Sequence, residues 1–295
     1  MTTTTPPPTP PATPPQPSRF QRWRMLTVTR TELKQLFQAK DFWAPMVLLG
    51  AFFFLIVPAF VLSILTSLGN VGAVQQLSDA LDLLPQAAQD AVPASDPATQ
   101  VGFVAAVYLF APVAVVVPLT ISTAVGASSI VGERERGTGE FLAHSPADVR
   151  EIYAGKLLGA LIPGYLTTAV GFGTYSLLVN LIVADDVGYW FFPTPSWWLL
   201  ITWVLPPFLV IALSLVLRLS ARVKSTAAAQ QASGLVTLPL ILIAYGQSTG
   251  ALVGGGTVVL TLVLGAIAWM IAIAALAVNF RAVTRGRLLG VADER

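Results

Sequence analysis

Cysteine is absent from the 295 residues and there is one histidine. Disulfides and thiolate metal sites are therefore excluded, and His144 alone offers no constellation for metal ligation or catalysis. Charge is scarce as well: Asp, Glu, Lys and Arg make up 11% of the chain, against 55% hydrophobic residues. A soluble domain carries about 25% charged residues. The net charge of +2 is too small to attract nucleic acid. What remains is the composition of an all-α integral membrane protein.

Six runs reach the roughly 20 apolar residues that a spanning helix needs: Ala44–Ser67, Gly102–Ile130, Leu157–Ala184, Trp197–Leu217, Thr226–Tyr245 and Thr257–Phe280. All 17 Lys and Arg fall before the first run, between runs two and three, between four and five, or after the sixth. The intervening segments carry Asp79, Asp82, Asp90, Asp96, Asp185 and Asp186 and no basic residue. The positive-inside rule then predicts both termini in the cytoplasm.

No run has an ionisable residue between its ends, which argues against a proton- or ion-coupled carrier. Hydroxyls and amides such as Thr167, Thr168, Tyr175, Asn180, Gln230 and Gln231 read as helix–helix hydrogen-bonding groups. Gly155-x-x-x-Gly159 is a weak small-xxx-small pattern. Prolines lie in or beside most runs and predict kinks. The aromatic stretch Tyr189–Trp198 reads as an interfacial belt.

Outside the runs, residues 1–18 are Pro/Thr-rich and are expected to be disordered, with no secretory signal. Residues 286–295 read as a cytoplasmic tail. Segment 19–40 spaces Phe20, Trp23, Leu26, Leu33 and Phe37 among basic residues, which predicts an amphipathic helix on the membrane surface. The loop after the first run is acidic, with a short helix expected near Leu77–Leu84.

The densest charge lies between runs two and three, in "GERERGTGEFLAHSPADVREIYAGK". Glu133 and Arg136 are spaced for an i,i+3 pair. Gly137 suits a left-handed helix end. Thr138 can cap a short helix bearing Glu140, Phe141 and Leu142. Ser145, Pro146 and Asp148 suit the cap, first and third positions of the next helix. The only Gly-Lys pair, Gly155-Lys156, is followed by Leu157, so no phosphate-binding loop for ATP is present.

This insert resembles the cytoplasmic loop of ABC-2 type transporter permeases, through Glu133, Arg134, Glu135, Arg136, Gly137, Thr138, Glu140, Leu142, Ser145, Pro146, Gly155 and Lys156. The stretch Ser220–Leu242 is similar to the start of that family's fifth span, and the likeness covers about residues 19–285. The resemblance implies a permease subunit in the plasma membrane, with six spans and a surface helix. It also implies a second permease copy or paralogue and two ATP-binding cassette subunits, which hold the ATP and magnesium; this chain itself is then no enzyme. Residues Thr138–His144, flanked by Glu133–Arg136 and by Ser145 and Pro146, would form a coupling helix in a groove of the ATPase. Export is the implied direction. A biogenesis or assembly complex that passes ATPase motion to an outer partner is the alternative.

Overall fold

The computed structural model describes residues 20–67, 97–138, 145–223, 225–248 and 258–282, and the described residues are helical with no strand. The Pro/Thr-rich start, the acidic loop with its expected helix, residues 139–144 and the C-terminal tail lie outside them. The elements are α1 (Arg22–Gln38), α2 (Lys40–Ala51), α3 (Val57–Ser67), α4 (Pro97–Val104), α5 (Val113–Glu135), α6 (Val149–Val187), α7 (Pro195–Leu199), α8 (Leu205–Ser220), α9 (Thr226–Ser248) and α10 (Val258–Ala282).

Five helical stretches are long and apolar enough to cross a membrane: Lys40–Thr66, Thr99–Glu133, Val149–Val187, Pro195–Ser220 and Thr261–Arg281. They match five of the six expected runs. The remaining run forms α9, which is helical but is not among those five. The chain is a multi-pass membrane protein. Its second and fourth spans are central, 67% buried over their most apolar stretch, whereas the first and last are 22% buried and present mostly exposed side chains.

Three spans contain a π-helical turn, and each turn lies just ahead of a proline. Phe52–Ile56 precedes Pro58, Ala105–Leu109 precedes Pro112, and Leu200–Val204 precedes Pro206. A proline ring has no N–H to donate and collides with the carbonyl four residues back, so the preceding turn widens. Pro45, Pro118, Pro163 and Pro239 lie within helices without such a turn.

At Pro112 the helix breaks, and two buried side chains from other elements meet the carbonyls just upstream. The Tyr175 hydroxyl donates to the Ala106 carbonyl at 2.6 Å, and the Trp197 indole N–H donates to the Val107 carbonyl at 2.8 Å. In a medium without water, such replacement donors satisfy what the proline leaves unpaired. Tyr175 therefore bridges helices as expected. Thr167 and Thr168 do not: each hydroxyl donates to its own helix, at the Pro163 and Gly164 carbonyls.

The aromatic stretch divides. Tyr189, Trp190 and Trp198 are exposed, in keeping with an interfacial belt. Phe192 and Trp197 instead sit in the core with Phe172 and Tyr175, their rings 4.9–6.2 Å apart. Asn180 fixes the turn that carries them: its amide donates to the Phe192 carbonyl at 2.6 Å and its oxygen accepts the Phe192 N–H at 3.2 Å.

Candidate functional site

The basic ends of the helices meet in one polar seam. Its floor is a notch in α6. A Cβ on Gly155 would lie 2.6 Å from the Val28 Cβ, and one on Gly159 2.8 Å from the Glu32 Cβ. The Gly-x-x-x-Gly pattern is thus the seat of α1, where absent side chains let two helix backbones come close. Thr29 completes the fit, its hydroxyl reaching the Gly155 carbonyl at 3.2 Å.

Seating α1 this way decides which of its faces is exposed. Phe20, Trp23, Leu26 and Phe37 point outward, and Leu33 is half-buried. The buried side carries Thr29, Glu32 and Leu36. Val28, Thr29, Glu32 and Leu36 thus meet protein, and the bulkiest apolar side chains are left open beside Arg30 and Lys34.

Next to Gly155, Lys156 is buried. Its ammonium donates to the Glu32 Oε1 at 2.6 Å, to the Glu133 Oε1 at 2.9 Å and to the Ser129 carbonyl at 2.8 Å. All three hydrogens of the ammonium are used. One cation thereby ties α1, the end of α5 and the start of α6 together. The pairing expected between Glu133 and Arg136 is replaced: the Glu133 carboxylate goes to Lys156. Inside a packed seam a buried partner three hydrogen bonds deep wins over an exposed i,i+3 neighbour on one helix. Sequence spacing could not reveal this, because the partners lie 23 and 124 residues away.

The flanks of the charged insert are tied to the seam as well. Helix α5 runs through "GERE" and ends as expected at Gly137, whose φ is +69°. The Thr138 N–H returns to the Glu133 carbonyl at 2.9 Å, closing the left-handed end. Arg134 lies in the last turn of α5. The Glu135 carboxylate accepts the Thr226 N–H at 2.9 Å and the Thr226 hydroxyl at 2.5 Å, capping the start of α9. These two bonds, with Arg136 nearby, hold the Glu135 carboxyl below the usual carboxylate range.

On the far side, α6 starts three residues later than the motif suggested. Ser145 and Pro146 precede it in a bend, and Asp148 is the N-cap. The Asp148 carboxylate accepts the Arg150 N–H at 2.9 Å, and the Glu151 carboxylate accepts the Asp148 N–H at 2.8 Å. A complete capping box outcompetes the serine because two bonds are closed reciprocally. Glu151 is buried and its other oxygen accepts the Gln21 N–H ahead of α1. Arg24 donates to the Pro146 carbonyl at 2.7 Å. The start of α1 is therefore bonded to both sides of the loop's return.

Of the expected interface residues, Glu133, Glu135, Arg136, Gly137, Thr138, Ser145 and Pro146 gather at this seam. Glu140, Phe141, Leu142 and His144 lie outside the described residues. Glu32, Glu151 and Thr226 belong to the seam and had no signal in the motif itself.

A family model described as ABC-2 family transporter protein matches residues 26–254, which includes most of α1, the Lys156 cluster and α9. The chain belongs to this ABC-2 family. It is thus the membrane component of an ABC transporter, which associates with an ATP-binding subunit and is not itself the catalyst. No curated protein matches the chain.

Proposed function

We propose that this chain is the permease of an ATP-driven exporter in the plasma membrane, with six spans, α9 being the fifth, and both termini cytoplasmic. The basic seam then faces the cytoplasm, as the Lys and Arg distribution requires. Residues Thr138–His144 form the coupling element that enters a groove of the ATP-binding subunit. Two permease copies and two such subunits make the transporter, with ATP and magnesium held by the latter.

The observation that carries this reading is how the flanks of the loop are fastened. Lys156 links Glu133 to α1, Glu135 holds α9, and Pro146 and Glu151 hold the start of α1. A displacement of the loop cannot be absorbed locally. It is passed to α1, α5, α6 and α9 together, as a rigid two-state element requires. Helix α1 lies along the cytoplasmic leaflet, with Phe20, Trp23, Leu26, Leu33 and Phe37 toward lipid and Arg30 and Lys34 near the headgroups.

Glu140→Ala with Phe141→Ala tests the coupling element. The variant should match wild type in thermal stability while co-purification with the ATP-binding subunit and stimulated ATP hydrolysis fall about tenfold or more. An undiminished complex would remove the coupling role of the loop.

A further inference from the structure

A groove of 310 Å³ runs between α2 and α6, with Leu36 and Phe37 of α1 lining it as well. Glycines explain its depth. A Cβ on Gly50 would lie 2.7 Å from the Thr167 Cγ2, and one on Gly171 would lie 2.4 Å from the Phe54 ring. The helices touch along this line because side chains are absent. Val47, Leu55, Leu166 and Val170 also line the groove, and each is more than 40% exposed, so they form its rims. Thr167 and Thr174 bring hydroxyls, but these donate to the Pro163 and Gly171 carbonyls of their own helix, at 2.8 and 2.9 Å. No hydrogen is left for a polar guest.

Its shape narrows the choice of occupant. On α6 the lining residues run from Pro163 to Thr174, a length of about 17 Å at the rise of an α-helix. One leaflet contributes about 15 Å of a bilayer's hydrocarbon core. Spread over that length, the volume leaves a cross-section on the order of 20 Å², whereas a helix is about 10 Å across. A single hydrocarbon chain fits, and the body of a second helix does not.

Charge at the mouth narrows it further. Lys40 lies three residues before Trp43 and seven before Val47, on the face of α2 that lines the groove. Lys34 lies three residues before Phe37 on α1. Both lysines are exposed and neither forms an ion pair among the described residues. The Glu32 carboxylate, two positions from Lys34, is held by Lys156. Asp41 adjoins Lys40, but consecutive residues of a helix do not face each other. Two ammonium groups thus stand at one end of a hydrocarbon slot, in a protein whose apolar spans place that end at headgroup level.

We propose that the α2–α6 groove holds an acyl chain of one anionic phospholipid from the leaflet on the basic side, its phosphate paired with Lys34 and Lys40. From the reading above this takes only the basic end lying at a membrane surface; transport is not required.

The chain has no cysteine, so introduced thiols report cleanly. Val47→Cys puts a fluorophore on the groove rim. Leu48→Cys, 67% exposed and outside the groove lining, puts one at similar depth as a control. The full chain is placed in phosphatidylcholine nanodiscs doped with doxyl-labelled phosphatidylglycerol or doxyl-labelled phosphatidylcholine. Quenching at position 47 should saturate at a low fraction of phosphatidylglycerol, preferred about tenfold or more over phosphatidylcholine, and position 48 should show no preference. Lys34→Gln with Lys40→Gln should cut the preference to about twofold or less. Ala51→Phe, which fills the groove, should remove the saturable quenching by either lipid. Equal quenching by the two lipids at position 47, the same preference at position 48, or a preference kept in the lysine variant overturns the proposal. So does a disulfide between the Val47→Cys thiols of two copies in place of lipid quenching, which would make the groove a contact between copies. ATP hydrolysis with the ATP-binding subunit is read on the same discs. If hydrolysis is absent while the preference persists, the transporter reading fails and the lipid site stands; the reverse result removes the site alone.

Discussion

The two ends of this membrane protein are held by different chemistry. At the basic end, a buried ammonium, three buried or half-buried carboxylates and a glycine notch join α1, α5 and α6. At the other end, stacked rings, one asparagine and two donors to freed carbonyls do the holding, with no buried charge among the described residues. Charged groups are strong only when complete and leave a large penalty when one partner is lost. Ring packing and neutral hydrogen bonds degrade in smaller steps. The basic end is thus fastened so that its helices move as a unit, and the far end is built to keep its shape.

The largest break should come from Lys156→Met. It strands Glu32 and Glu133 in the seam, and removing one partner of a buried ion pair costs about 3–5 kcal/mol. Thermal unfolding followed by fluorescence-detected size exclusion should show a large loss of stability. Adding Glu32→Gln and Glu133→Gln to Lys156→Met should recover most of it, because no charge is then left alone. If the single variant is as stable as wild type, the cluster does not hold the seam.

Next in size is the seat of α1. Gly155→Leu drives a side chain into Val28 and the Met25 carbonyl. Overpacking of this kind costs about 1–3 kcal/mol. The expected signature is local: proteolysis or cysteine accessibility increases in residues 22–38 while the remaining spans keep their protection. Gly173→Leu is the matched control on the same helix, where a Cβ meets nothing within 4 Å.

At the far end, Trp197→Phe keeps a ring in the stack but removes the indole N–H together with part of the buried ring volume, leaving the Val107 carbonyl without that donor. A loss of about 1–3 kcal/mol follows from one buried acceptor left unsatisfied. Coupling to the ATP-binding subunit should be unchanged. A variant that lost coupling but not stability would reverse the assignment of roles to the two ends.

Much of this contrast was legible in the sequence, for reasons that differ by region. Span positions follow from the thickness of the bilayer and the sidedness of Lys and Arg, so five of six runs returned, four of them within a few residues and the third starting eight residues earlier, at Val149. Gly137 announced a helix end because only glycine adopts its φ without strain. The partners of Lys156 were hidden because a buried pair is set by tertiary packing. One lysine beside a glycine gives no clue to two carboxylates elsewhere. The capping box at Asp148 was overlooked because Ser145-Pro146 mimics a helix start, while the reciprocal bond with Glu151 decides between them. The aromatic stretch misled for a similar reason: composition predicts a belt, but the turn fixed by Asn180 folds two of its rings inward.

The smallest effect sharpens the comparison by asking whether every charge at the basic end acts alike. Glu135 is exposed, unlike Glu133, yet its carboxyl is held below the usual range by the Thr226 hydroxyl, the Thr226 N–H and Arg136. A depressed value in the folded state means that the folded protein favours the charged form. The contribution is therefore full above the ordinary carboxylate range and is lost as pH falls through the lowered value. Exposure to solvent keeps it small. Hydrogen exchange at residues 226–230, corrected for the intrinsic pH dependence, should show protection that drops in acid for wild type. The Glu135→Ala protein should show lower protection at neutral pH and little further drop. A wild-type profile flat through the acid range would mean that the cap on α9 does not depend on the carboxylate charge, and that only the buried seam is electrostatic.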